Sequence, residues 1–189
     1  MIFGKGHCIV IDATNRAMKE VAAQGLATWD EYSSEIEEIF TNGKFGQLLS
    51  TIDLVKQHGG WADEKVDTKS MYTPLVIVPD AGVVNGLLTQ FDIKLRGYAV
   101  FKHLSPQVYA PGIVPISDIQ LLEGMVDHAA KIGKKPNMMD LIANWRARAS
   151  KHGLAALQLY LGVSSYPIRP VSDHIVKNSR RVAKELAND

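Results

Sequence analysis

The sequence predicts an α/β protein: a small, mostly parallel sheet flanked by helices, with a helical C-terminal half. Three observations carry that reading. Two short apolar runs, His7-Cys8-Ile9-Val10-Ile11 and Pro74-Leu75-Val76-Ile77-Val78, have the continuous β-branched character of strands buried on both faces. A long stretch of helical periodicity separates them, which is the crossover that parallel neighbours require. Each run is followed by an acid, Asp12 and Asp80, at the end where open α/β sheets hold ligands.

The first strand starts close to residue 1, so little chain precedes it. Residues 16–25 form a short helix or an irregular loop. Thr28-Trp29-Asp30-Glu31 is a capping box opening a helix. Trp29, Tyr32, Ile36, Ile39 and Phe40 recur on one side of it, while Asp30, Glu35, Glu37 and Glu38 face away. Asn42-Gly43 breaks it. Lys44 begins a second helix with Phe45, Leu48, Leu49, Ile52 and Val55 inward, and Gly59-Gly60 ends that one. Residues 62–70 read as a surface loop.

After the second strand, residues 82–95 read as a helix with Val83, Leu87, Phe91 and Leu95 on its apolar stripe. Tyr98–Phe101 follows as a third strand and Gly112–Ile116 as an edge strand. Ser117 caps a helix that buries Ile119, Leu122, Met125, Val126, Ala129 and Ile132 and stops at Gly133. Asn137 caps the next helix, which carries Leu141, Ile142 and Trp145. Another runs through Leu154, Leu157 and Leu161. The last, capped by Ser172 or Asp173, turns Ile175, Val182 and Leu186 inward. The division expected is an α/β core over residues 1–135 and a helical extension over 136–189 packed on it. Leu48, Ile52, Val76, Leu122 and Met125 are expected in one core.

A net charge of +1 gives no composition-wide attraction to polyanions. The single cysteine, Cys8, excludes an internal disulfide framework and sits inside an apolar strand as an inert thiol. No segment is long and apolar enough to span a bilayer, and no signal-peptide pattern opens the chain, so a soluble cytoplasmic protein is expected. There is no phosphate-binding glycine loop, and the six histidines are scattered without zinc spacing. Hard carboxylates remain as the candidate metal ligands. Asp12 and Asp80, at the ends of neighbouring parallel strands, are placed to hold Mg2+ or Mn2+ together, or else each caps a turn.

Asp12-Ala13-Thr14 on a strand, then a helix bearing Lys44 and Gln47, then the strand Leu75–Val78, resembles the core of the PD-(D/E)XK nuclease-like superfamily. The resemblance covers roughly residues 7–132. It implies metal-dependent phosphodiester hydrolysis of DNA or RNA, or a degenerate relative that has lost it, with Asp12, Thr14, Lys44 and Gln47 as the catalytic set. Two departures stand out. The triplet ends in Thr14 rather than lysine, which leaves Lys19 or Lys44 to take that role, and the family's first acid, carried by a preceding hairpin strand, has no room. Val10–Asn15 also resembles the opening of a PIN-like ribonuclease. That likeness makes Glu35 or Glu38 the helical acid and Asp80 the later one.

Lys177, Arg180, Arg181 and Lys184 fall at i, i+3, i+4 and i+7 on the last helix and, with Arg16, offer a track for a phosphate backbone or simply a solvated face. Arg146, Arg148, Lys151 and Lys134-Lys135 add positive charge to the same half. An acidic front and a basic back suit nucleic-acid contact, or self-association into a homo-oligomer or larger assembly. A non-enzymatic α/β interaction domain would share all of these elements.

Overall fold

The computed structural model describes residues 1–4, 6–82, 87–133, 137–152, 156–163 and 173–186. Strand β1 (Ile2–Gly4) turns around Gly6 and runs antiparallel to β2 (His7–Ala13). A strand therefore does precede the Asp12 strand, although Ile2, Phe3 and Gly4 supply no acid. A short helix α1 (Glu20–Ala23) follows, then α2 (Trp29–Ile36), a π-helical segment (Glu37–Phe45) and α3 (Gly46–His58). A small hairpin follows, β3 (Gly60–Trp61) and β4 (Glu64–Lys65), its second strand inside the stretch read as a loop. The chain then returns as β5 (Met71–Val78), parallel to β2 with Cys8 opposite Tyr72 and Asp12 opposite Val76. Next come α4 (Leu87–Val100), the edge strand β6 (Gly112–Pro115), and helices α5 (Ile116–Lys131), α6 (Met138–His152), α7 (Leu157–Val163) and α8 (Asp173–Leu186). The main sheet runs β1-β2-β5-β6, its last three strands parallel. Among the described residues no helix is long and apolar enough to cross a membrane.

Side chains alternate across a strand, so each apolar run feeds two cores. Cys8, Val10, Val76 and Val78 meet Ile36, Phe40, Phe45, Leu48 and Ile52 on one face. Ile9, Leu75 and Val114 meet Leu122 and Met125 of α5, Trp145 of α6 and Leu157 and Leu161 of α7 on the other. The single core expected of Leu48, Ile52, Val76, Leu122 and Met125 is thus two clusters, divided by the sheet. Of the positions expected to face inward near the C-terminus, Leu154 lies outside the described residues, as do the side chains of Val182 and Leu186.

Three readings are corrected. Asn42-Gly43 does not break the helix: the backbone passes from α2 through the π-segment into α3, and only Gly59, in the left-handed region, ends it. Tyr98–Val100 is helical, not a strand, because burial recurs at Ile93, Gly97, Phe101 and Leu104 with the helical period. That same rotation turns α4 over. It buries Thr89, Gln90 and Lys94 and leaves Phe91 and Leu95 of the expected stripe exposed, with Leu88; Val83 and the side chain of Leu87 lie outside the described residues. Gly97 fixes the rotation, since a Cβ there would lie 2.4 Å from Pro111.

Arg146, read as part of a basic surface, is completely buried. The reason lies in the sheet. Tyr72 bridges Val108, whereas Leu75 faces Gly112, so three steps along β5 match four along its neighbour. The extra residue is a bulge, which takes backbone groups out of the ladder. Pro74 and Pro111, which carry no N–H, sit at that place. Arg146 donates from Nε and Nη2 to the carbonyl of Ala110 at 2.9 and 2.7 Å, and from Nη2 to that of Pro111 at 3.0 Å. Ser150, one turn on, accepts the Ala110 N–H at 2.7 Å. Burial pulls the guanidinium down to about 10, so it stays charged at neutral pH. Arg146→Met should leave the Ala110 and Pro111 carbonyls buried and lower the unfolding free energy by roughly 2–4 kcal/mol in a denaturant melt. A loss below about 0.5 kcal/mol would show that the carbonyls find water instead.

Candidate active site at the end of strand β2

Asp12 is the second-last residue of β2, its side chain one third exposed. Its Oδ1 accepts the backbone N–H of Ala13 at 2.7 Å, and its Oδ2 accepts from Lys44 Nζ at 3.0 Å. Lys44 comes from the π-segment, 32 residues later in the chain. A π-helix closes its hydrogen bonds five residues apart, and short stretches of it are often found at functional sites. Here it runs for nine residues, and the widened turn needs Gly43, whose substitution by a Cβ would meet the Glu38 carbonyl oxygen at 2.7 Å. The Asn-Gly pair read as a helix breaker is what lets the helix widen and aim Lys44 at the strand end.

Two more ion pairs tie the segment after β2 to the same helix. Arg16 Nη2 meets Glu38 Oε1 at 2.5 Å, both side chains about half exposed. Lys19 Nζ meets Glu35 Oε1 at 3.0 Å, and the Lys19 backbone N–H donates to Glu35 Oε2 at 3.2 Å. Glu35 therefore does not face away; its side chain is 6% exposed. The Lys19 ammonium, with the help of that backbone N–H, holds the Glu35 carboxyl below the usual glutamate range against the opposing effect of burial. The two resemblances name Lys19 and Glu35 separately; their pairing could not be foreseen, because a lysine and a glutamate sixteen residues apart carry no sequence signal of it.

The remaining expected residues separate. Thr14 extends the ladder through its N–H to Ile77 at 3.0 Å, and its Oγ1 accepts the Arg16 N–H at 3.1 Å, which makes it a turn residue. Gln47, expected to point at Asp12 together with Lys44, is exposed and makes no hydrogen bond to Asp12 among the described residues. Asp80 caps α5: its Oδ1 accepts the Ser117 N–H at 3.0 Å, a role expected of the Ser117 side chain itself. Beside it Asp118 is buried; desolvation, with a smaller contribution from the Asp80 charge, raises its carboxyl above the usual range. Lys177, Arg180, Arg181 and Lys184 are exposed on α8, which touches α5 in the layer opposite Arg16 and Glu38.

Among the described residues no three acids, histidines or cysteines converge on a common metal position. Asp12 offers a partly exposed carboxylate at the strand end. Magnesium often takes one or two carboxylates and completes its shell with waters and substrate phosphate. Asp12 fits such an ion only in exchange for the Lys44 ammonium, which lies on its Oδ2.

Two measurements test this geometry. Gly to Ala inside an ordinary helix adds stability; Gly43→Ala should instead cost about 1–3 kcal/mol, because the new Cβ meets backbone. A stabilised variant would show that the π-turn is not required. Glu35 has its folded pKa below its unfolded value, so its contribution is present above the ordinary glutamate range of about 4.3 and is lost as pH falls through the folded value. Glu35→Gln should be less stable than wild type at pH 7 and show a flatter decline on acidification. Parallel acid curves would remove Glu35 from the cluster.

No family model matches the chain, and neither the curated proteins nor the solved structures contain a match to it.

Proposed function

We propose that this chain is a nuclease-like domain that engages the phosphodiester backbone of DNA or RNA at the carboxyl end of β2, with Asp12 and Lys44 as its central pair. The observation that carries the reading is the 3.0 Å contact between Lys44 Nζ and Asp12 Oδ2, formed at a strand end where both groups remain accessible. An acid with a lysine beside it is the pair that the resemblance asks for. Here the lysine arrives from the helix, while the third place of the triplet holds Thr14. Lys44 is positioned to steady negative charge developing on a phosphate oxygen. Arg16, half exposed nearby, offers a second cation to the backbone. A divalent ion bound at Asp12 would activate water and offset charge on the scissile phosphate.

A second reading has its own support. Every acid of the cluster already has an internal partner: Asp12 has Lys44, Glu35 has Lys19 and Glu38 has Arg16; Asp80, apart from them, accepts the Ser117 amide. That arrangement suits a relative that binds without cutting.

The test is cleavage and binding of single- and double-stranded DNA and RNA in magnesium, manganese or chelator, for wild type, Asp12→Asn and Lys44→Met. The expected result is metal-dependent cleavage abolished by Asp12→Asn and lowered at least tenfold by Lys44→Met. Binding without cleavage, weakened in Lys44→Met, identifies the non-catalytic relative. Cleavage that survives both chelator and Asp12→Asn refutes this site.

A further inference from the structure

The buried stripe of the long helix skips once. Ile36, Phe40, Phe45, Leu48, Ile52 and Val55 all lie in the same core, and they stand four, five, three, four and three residues apart. An α-helix returns to one face about every 3.6 residues, so steps of three and four keep a stripe and a step of five does not. The step of five falls between Phe40 and Phe45, inside the π-helical segment, where hydrogen bonds close over five residues. Thr41-Asn42-Gly43-Lys44 therefore holds one residue more than an α-helix needs to join the two buried flanks.

The wide turn is less well satisfied than the helix that continues it. In α3, Ser50 Oγ donates to the carbonyl of Gly46 at 3.1 Å and Thr51 Oγ1 to that of Gln47 at 2.9 Å, each four residues back. Thr41 has its Oγ1 buried and makes no such bond among the described residues. The turn also closes only around a residue without a Cβ, at Gly43. Removing one residue between Phe40 and Phe45 makes the step four, and the helix can then run through in α geometry with both buried flanks in place. What changes is the position of the residues between, and Lys44, 3.0 Å from Asp12, is one of them.

We infer that the extra residue of the π-helical segment is a positioning insertion, which serves the Asp12–Lys44 site while the fold does without it. This deepens the reading of that site given above and rests on it. The flanks are fixed, upstream by Ile36, Phe40 and the Lys19–Glu35 pair and downstream by Phe45 and Leu48. The place of Lys44 is then decided by how many residues span the gap. A misplacement of about 1 Å in a positioned group can lower a rate roughly a hundredfold.

The experiment compares four full-length proteins: wild type, Asn42→Ala, a variant lacking Asn42 and a variant lacking Gly43. Each is unfolded in urea and assayed for cleavage and binding of single- and double-stranded DNA and RNA in magnesium or manganese. Both shortened proteins should unfold at a urea midpoint equal to or above that of wild type, although Gly43→Ala lowers it. Both should lose cleavage roughly a hundredfold, or, if wild type binds without cutting, lose binding as Lys44→Met does. Asn42→Ala, which keeps the length, should keep the midpoint and the activity. Shortened proteins as active as wild type refute the positioning role and leave the Asp12 site standing. Shortened proteins that do not fold, or that unfold at a clearly lower midpoint, show that the fold requires the extra residue and overturn the inference. Activity lost in Asn42→Ala assigns the effect to the side chain and not to the length, which overturns it as well. If wild-type protein neither binds nor cleaves, the nuclease-like reading falls and the positioning role falls with it.

Discussion

The buried guanidinium of Arg146 is the constraint on which the layering of the molecule depends. It answers a problem that the sheet creates for itself. Beyond Val108 the chain next to β5 takes one residue too many, and prolines on both sides of the gap have no N–H to offer. Unpaired backbone carbonyls inside a protein cost as much as broken hydrogen bonds. Arg146 fills the gap from α6 with a rigid planar group whose Nε and Nη2 reach the two carbonyls from fixed positions. Gly112 accepts the close approach, since a Cβ there would lie 2.5 Å from Nη2. The consequences spread outward. Once past the bulge, β6 pairs in register with β5 and delivers Pro115 to the start of α5, where Asp80 can reach the Ser117 amide. The same helix α6 carries Trp145 into the second core, its ring 4.8 Å from the guanidinium. The expected helical extension thus supplies part of the packing that covers one face of the sheet.

Much of the fold was legible because it follows from backbone periodicity and a few capping residues. The paired apolar strands, their parallel direction, the edge strand at Gly112, the Thr28–Glu31 capping box and the glycine stops at Gly59 and Gly133 are all local patterns with one inexpensive structural solution. What could not be read was decided at a distance. Gly43 looks like a breaker in isolation, and only the widened turn around it shows that a helix can use it. The rotation of α4 is set by Gly97 against Pro111, not by its own apolar spacing. Arg146 resembles any surface arginine until the bulge that it serves is in view.

The site was legible to a similar depth. An acid at the end of a buried strand marks a place, and Asp12 is at that place. Its partner Lys44 could be named from the resemblance and is on the helix expected to carry it. Gln47, three residues on, lies in α3 with its side chain exposed, and among the described residues no hydrogen bond joins it to Asp12. Thr14 keeps its position but serves the turn. Glu35 shows the converse: as an acid on an acidic helix it looked solvated, yet a single buried carboxylate can be stabilised by one lysine and one backbone amide from a segment folded against it.

The charge pattern at the strand end decides what a ligand would have to do there. Three cations and three acids alternate in three contacts, so the cluster has no excess charge to attract phosphate or metal over a distance. Any ligand must exchange with a partner already in place. The three exchanges are not equivalent. Arg16–Glu38 and Lys44–Asp12 are partly or half exposed, and such pairs contribute about 0–1 kcal/mol each, so a phosphate or a divalent ion can replace one member at little cost. Lys19–Glu35 is different, because displacing the ammonium would leave a carboxylate buried with one backbone N–H. The cluster therefore divides into a fixed anchor, which holds the segment after β2 against the helix, and two exchangeable pairs. Those two flank the same strand end, and one of them carries the acid and lysine on which a hydrolytic role would turn.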